Sequence, residues 1–179
     1  MASQCGCSLT SKDLTVIEDQ LTHLATACRV AQGYAGSFQN PQLRTLAGAI
    51  AQHHRQQFDA RYAFLNGCQY QGGNENMQTY QNQQGMNQQP APMGLSDQEL
   101  AYDLLYQEKA LMANISSEVV EGSHAGLRNV LNDMFMQIGQ DQLQVFQLMN
   151  EHGWYQTKPA PQPELQTAKQ KYQQMRQGL

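Results

Sequence analysis

Residues 67–94 read GCQYQGGNENMQTYQNQQGMNQQPAPMG, and the segments on either side of them decide the architecture. Built from Gln, Asn, Gly and Pro, the stretch cannot form a core of its own. Before it, about 11–34 places Leu14, Ile17, Leu21, Leu24, Cys28 and Ala31 at helical spacing. A second segment, about 41–65, does the same with Leu43, Leu46, Ile50, His54, Phe58 and Tyr62. After it, a third opens at Ser96-Asp-Gln-Glu99, the spacing of a capping box, and runs to about Glu121. The fourth covers about 125–152, with Leu127, Leu131, Met134, Ile138, Val145 and Met149 facing in. Pro41 suits a first helical turn, while Asn66-Gly67, Gly122 and Gly153 suit helix stops. No period-two apolar pattern persists, so strands are not expected.

Lengths then select the topology. A helix of ~25 residues is ~38 Å long, and an extended stretch of ~28 residues reaches beyond twice that. Residues 67–94 can therefore traverse a whole bundle, whereas the short turns near 35–40 and 122–124 force antiparallel neighbours. Two hairpins joined by one long crossover is the ferritin-like connection. The expected organisation is a flexible N-terminus (1–10), a first helical hairpin (11–66), a crossover linker (67–94), a second hairpin (95–157) and a polar tail (158–179). Together they form one all-α, ferritin-like four-helix bundle. An internal repeat fits the two hairpins: Leu43-Arg-Thr-Leu46 is echoed by Leu127-Arg-Asn-Val130, Tyr62 by Phe146, and Leu65-Asn66 by Met149-Asn150. Tyr70-Gln71 is likewise echoed by Tyr155-Gln156. Beyond Tyr155, Lys158-Pro-Ala-Pro-Gln-Pro163 is extended, and 164–179 is a polar helical candidate with little apolar stripe.

Composition narrows the partners. The net charge is −4 and only 15% of residues are charged, so no basic stripe exists to neutralise phosphates and nucleic acid is not expected. Roughly 30 glutamines supply the polar surface instead, and an amide surface is solvated yet barely self-repelling, which favours association. No run has the apolar length to cross a bilayer. The opening Met1-Ala-Ser-Gln-Cys-Gly-Cys7 lacks the basic and apolar regions of a secretory signal, so synthesis in the cytoplasm is expected. Cys5, Cys7, Cys28 and Cys68 are then reduced when the chain is made.

Asp103-Leu-Leu-Tyr-Gln-Glu-Lys109, Leu127-Arg128, a Gln-rich helix, His152-Gly-Trp-Tyr155 and Lys158-Pro-Ala160 follow one another in the second half. In this order they resemble the coat F (CotF-like) spore coat family over about 95–160. The resemblance implies a ferritin-like helical domain in the coat of bacterial endospores, with a structural or assembly role rather than a reaction. It also implies synthesis in the mother cell, deposition on the spore coat, and other coat proteins or further copies of this chain (a homo-oligomer) as partners. Trp154 and Tyr155 are suited to fold over the apolar end of the bundle.

Glu108 sits among the apolar positions Leu104, Leu111 and Ile115, and a buried charge needs a partner. A ferritin-like di-iron site would take one Glu from each of two helices and a Glu-x-x-His from each of the others. Here Gln52-His53-His54-Arg55-Gln56-Gln57 lacks the Glu, and Gln137-Ile-Gly-Gln140-Asp141-Gln142 lacks the His. Glu121-Gly-Ser-His124 has the spacing but straddles a turn. The remaining metal candidates are Glu18, His53, His54, Glu108 and Asp141, too few for a pair of cations. The expectation is no metal and no cofactor, with Glu108 in a buried network with a histidine or glutamine. The alternative is a metal-binding or oxidoreductase ferritin-like protein with an atypical mono- or di-metal site. No catalytic group assembles: Ser116-Ser117 lacks a glycine elbow, and His23 with Asp19 is an ordinary helix-face pair. For cross-linking, Cys5, Cys7 and Cys68 offer thiols and Tyr70 and Tyr80 offer phenols, whereas Cys28 lies in the first apolar stripe. A core pocket for a small ligand is a third reading.

Overall fold

A computed structural model describes residues 9–67 and 94–178. Five helices account for them: α1 Ser11–Ser37, α2 Pro41–Gly67, α3 Asp97–Glu121, α4 Ala125–Glu151 and α5 Gln162–Gln177. No strand occurs among the described residues. Local sequence explains most of the boundaries. Thr10 with Asp13, and Ser96 with Glu99, form reciprocal capping boxes that start α1 and α3. Asn40 caps α2 by accepting from the Gln42 and Leu43 N–H groups, and His124 caps α4 through Nδ1. After α4 the chain turns at Gly153, whose φ of 72° is the left-handed conformation glycine adopts without strain.

Hydrogen bonds between helices fix their directions. Asp13, at the start of α1, accepts from the Ser123 and His124 N–H groups beyond the end of α3, while Tyr34 near the end of α1 donates to Asp103 near the start of α3. These helices are antiparallel. Along α2 and α4, His53 meets Asp141 and Arg61 meets Val130, so that pair is antiparallel too. Around the ring the neighbours are α1–α2, α2–α4, α4–α3 and α3–α1. Across the diagonal α2 and α3 point the same way: the α2 start lies by Asp97 and its end by His124. Gly67 and Gly94 therefore sit at opposite ends of the bundle.

The repeat seen in the sequence has a structural counterpart. Arg44 reaches back to the carbonyl of Phe38, the C-cap of α1, and Arg128 reaches back to that of Gly122, the C-cap of α3. Asp13 clips the Ser123–His124 turn of the second hairpin, and Asp97 clips the Gln39–Asn40 turn of the first. The separation along the chain is the same for Asp13 and Asp97, Phe38 and Gly122, and Arg44 and Arg128. Each hairpin thus satisfies the exposed turn amides of the other with a carboxylate from its own first turn.

The apolar stripes are partly rotated from the sequence expectation. In α4 all six expected residues are buried. In α1, however, Leu14 is 39% exposed and Leu21 only half-buried, while Asp13 and Gln20 are fully buried. In α2, Tyr62 is 56% exposed and Arg61 fully buried. The buried positions follow a seven-residue repeat rather than steps of four. In such a bundle the inward face recurs every seven residues, as in Asp13, Gln20 and Tyr34 or in Ala47, His54 and Arg61. Steps of four, from His54 to Phe58 to Tyr62, drift off that face. The tail also differs: α5 forms and carries a stripe of Leu165, Ala168, Tyr172 and Met175, yet buries none of its residues.

Candidate functional site

The core is divided. One apolar cluster contains Tyr34, Phe38, Leu43, Ile50, Leu104 and Val145; another contains Ile17, Leu24, Phe64, Leu111, Leu131 and Ile138. Between them lies a polar waist of His53 and His54 from α2, Glu108 from α3, and Gln137 and Asp141 from α4. The waist follows from sequence, because each buried member replaces an apolar residue at a position that the helix turns inward.

His54 Nε2 and Glu108 Oε1 are 3.0 Å apart, and both side chains are 1% exposed. Burial pushes the Glu108 carboxyl above its ordinary range, against the opposing effect of the His54 bond. His53 Nδ1 lies 2.9 and 3.0 Å from the two oxygens of the fully buried Asp141. That bond raises the His53 imidazole above its usual value, outweighing burial. Gln137 Nε2 adds a bond to Asp141 Oδ1 at 3.3 Å. The two pairs sense each other's charges, but each is closed on itself. Glu108 Oε2 and His54 Nδ1 are buried without a hydrogen-bond partner.

Of the sequence candidates, the structure gathers His53, His54, Glu108 and Asp141 and excludes Glu18, which lies on the exposed face of α1. Glu18 is a correction: Ile17 and Gln20 occupy the inward positions of that turn. Among the described residues no three His, Cys, Asp or Glu side chains converge as a metal-binding group. Glu121 is spent on an exposed contact with Lys12, and His124 on its capping bond. Ser116 and Ser117 donate to backbone carbonyls of their own helix, and His23 and Asp19 are exposed. Cys28 is buried, donates to the Ala51 carbonyl, and has its thiol pKa raised by burial. Cys5, Cys7, Cys68, Tyr70 and Tyr80 lie outside the described residues.

A second polar cluster escaped the sequence reading. Gln20 donates to Glu118, whose carboxyl burial raises to about 7. Nearby Arg61 is fully buried and donates to the Gln57 and Val130 carbonyls and the Gln57 side chain, and its pKa is lowered by burial to about 10. At the other end, Trp154 and Tyr155 fold back as expected. The Tyr102 hydroxyl donates to the Trp154 carbonyl at 2.5 Å, and the Tyr155 ring meets Phe146 edge-on with Lys109 5.3 Å from its centroid.

These features define an all-α bundle whose polar centre is paired within itself. Residues 96–158, from the start of α3 through the turn after α4, match the Coat F domain. Over 97 residues it is 29% identical to the uncharacterized protein YusN of Bacillus subtilis (strain 168), covering 52% of this chain and 88% of that one. The crystal structure of a "putative spore coat protein" from Bacillus halodurans C-125 superposes with a TM-score of 0.63, covering 87% of this chain and 96% of that one. Its identity of 11% makes it a likeness of fold.

Proposed function

We propose that this chain is a structural and assembly component of the bacterial endospore coat, a non-catalytic ferritin-like bundle that is synthesised in the mother cell and deposited on the coat. The observation that carries this reading is the Coat F match over the second hairpin, in a core whose central carboxylates are taken up by histidines of the same core. The waist then acts as a register key: sliding one helix along another would leave Glu108 or Asp141 facing hydrocarbon. The ferritin-like assignment draws support from the antiparallel ring and the parallel diagonal of α2 and α3. Partners are other coat proteins or further copies, met through amide-rich surfaces. No helix among the described residues is long and apolar enough to cross a membrane. Fractionation of purified endospores tests the reading: the chain is expected in the coat extract, and its confinement to the spore interior would refute it.

A second reading has one observation in its favour. Glu108 Oε2 and His54 Nδ1 are free donor atoms beside a second His–carboxylate pair, as an atypical metal site in a ferritin-like oxidoreductase would need. Elemental analysis of chain purified without chelator separates the two: stoichiometric iron or manganese would replace the structural reading with this one.

A further inference from the structure

Helix α5 is an amphipathic helix with its apolar side in solvent. Leu165, Ala168, Tyr172 and Met175 are spaced three, four and three apart, the seam of a two-heptad coiled coil, and Leu165, Tyr172 and Met175 are 38%, 61% and 57% exposed. An isolated helix of 16 residues is marginal in water, so burial of this seam is what would hold it. The flanking positions are basic: Lys169, Lys171 and Arg176 border the seam, with Glu164 as the one acid of the helix. Four of the chain's eleven basic residues, but only one of its fifteen acidic ones, lie beyond residue 157. The arm is cationic and the body it hangs from is strongly anionic.

That body offers a matching surface. Between the start of α2 and the end of α4 runs a shallow, open groove of about 590 Å³, whose lining includes Leu46, Ala49, Leu148 and Glu151. Its walls are Gln and Thr, with no basic residue to repel the arm. We propose that the Leu165–Met175 seam of α5 docks in the α2/α4 groove of a second copy of this chain. One observation favours a second copy over the same molecule, and another favours that copy's groove over its arm. Tyr155 is pinned on the α3/α4 side, among Tyr102, Phe146 and Lys109, Lys158-Pro-Ala-Pro161 leaves it as a non-helical spacer, and α5 buries no residue against its own bundle. The arm's net charge disfavours pairing of two arms, since each helix carries Lys169, Lys171 and Arg176 against a single acid, Glu164. Because arm and groove are different surfaces, the contact is heterologous. It closes when two copies exchange arms and otherwise propagates.

The inference rests on the assembly reading and specifies its contact. The test is sedimentation of the full chain over a concentration series, with two variants that leave every fully buried side chain in place: Tyr172→Gln with Met175→Gln in the arm, and Ala49→Lys at the half-exposed groove position. Wild type is expected to self-associate, and each variant to do so roughly thirtyfold more weakly. Mixing the variants is expected to restore a 1:1 complex, since one copy still supplies an arm and the other a groove. Undiminished self-association of Ala49→Lys overturns the docking, as does a wild type that stays monomeric at every concentration. Either failure is distinct from failure of the coat assignment, which spore fractionation decides by itself.

Discussion

Replacing Asp13 by alanine should cost far more than replacing Asp97, although the two carboxylates occupy corresponding places in the repeat. Asp13 is fully buried and accepts from Thr10 N (3.0 Å), Thr10 Oγ1 (2.7 Å), Ser123 N (2.7 Å), Ser123 Oγ (2.6 Å) and His124 N (3.2 Å). Alanine would remove the capping box, worth ~1 kcal/mol, and strand two turn amides at about 1–3 kcal/mol each where they remain dry. The sum is about 3–7 kcal/mol. Asp97 accepts from the Gln39 and Asn40 N–H groups at 2.7 Å, but at a more open site where water can replace it, so about 1 kcal/mol is expected. Urea unfolding followed by helical CD measures both. The corresponding drops in melting temperature are roughly 10–20 °C and 3 °C. Acid provides the second check. Burial raises the Asp13 carboxyl, but the bonds from Ser123 and Thr10 outweigh it and hold it well below its ordinary 3.8. A depressed folded value stabilises above the unfolded value and is lost as pH falls through the folded one. The gap between wild type and Asp13→Ala should therefore stay level down to the ordinary carboxylate range and narrow below it. Equal costs at the two positions, or a gap that widens on acidification, would refute the reasoning.

Glu118 has the opposite sign. Its carboxyl is raised to about 7, so its contribution is present below the ordinary 4.5 and lost as pH rises through 7. Glu118→Gln, whose amide could also donate to the unpartnered Gln20 Oε1, should stabilise by ~1 kcal/mol at pH 8 after allowance for solvent screening. That gain should fade toward pH 4.5 in urea titrations. At the waist, Glu108→Leu should keep full helical CD, and adding His54→Leu should recover stability lost by stranding the imidazole; collapse of the helical signal in the single variant would show that the carboxylate is essential to packing. Native protein treated with an alkylating reagent should leave Cys28 unmodified until urea is added, as peptide mapping would reveal.

The four bundle helices and their pairing were legible because long amphipathic segments, capping boxes and short turns act locally. The inward histidine and Glu108 were legible for the same reason: a polar residue inside an apolar stripe is visible in one helix. What could not be read was whom each polar residue would face. Gln20 and Glu118 meet across hairpins, and Asp13 looks like an ordinary cap until the second turn arrives beside it. Arg61 was missed for a different reason. Its seven-residue relation to His54 and Ala47 was in the sequence, but the helical period followed there drifted toward Tyr62. Glu18, named only as a carboxylate a metal could use, lies on the exposed face of α1. In α5 the glutamines masked a seam of four apolar side chains, since mean polarity hides a narrow stripe.

The crossed clips carry a mechanical consequence. Asp13 holds the far turn at one end of the bundle and Asp97 holds it at the other. A force sliding one hairpin lengthwise against its neighbour therefore loads both fastenings simultaneously. Peeling from one end would meet them one after another, so such a unit should resist shear better than it resists prying.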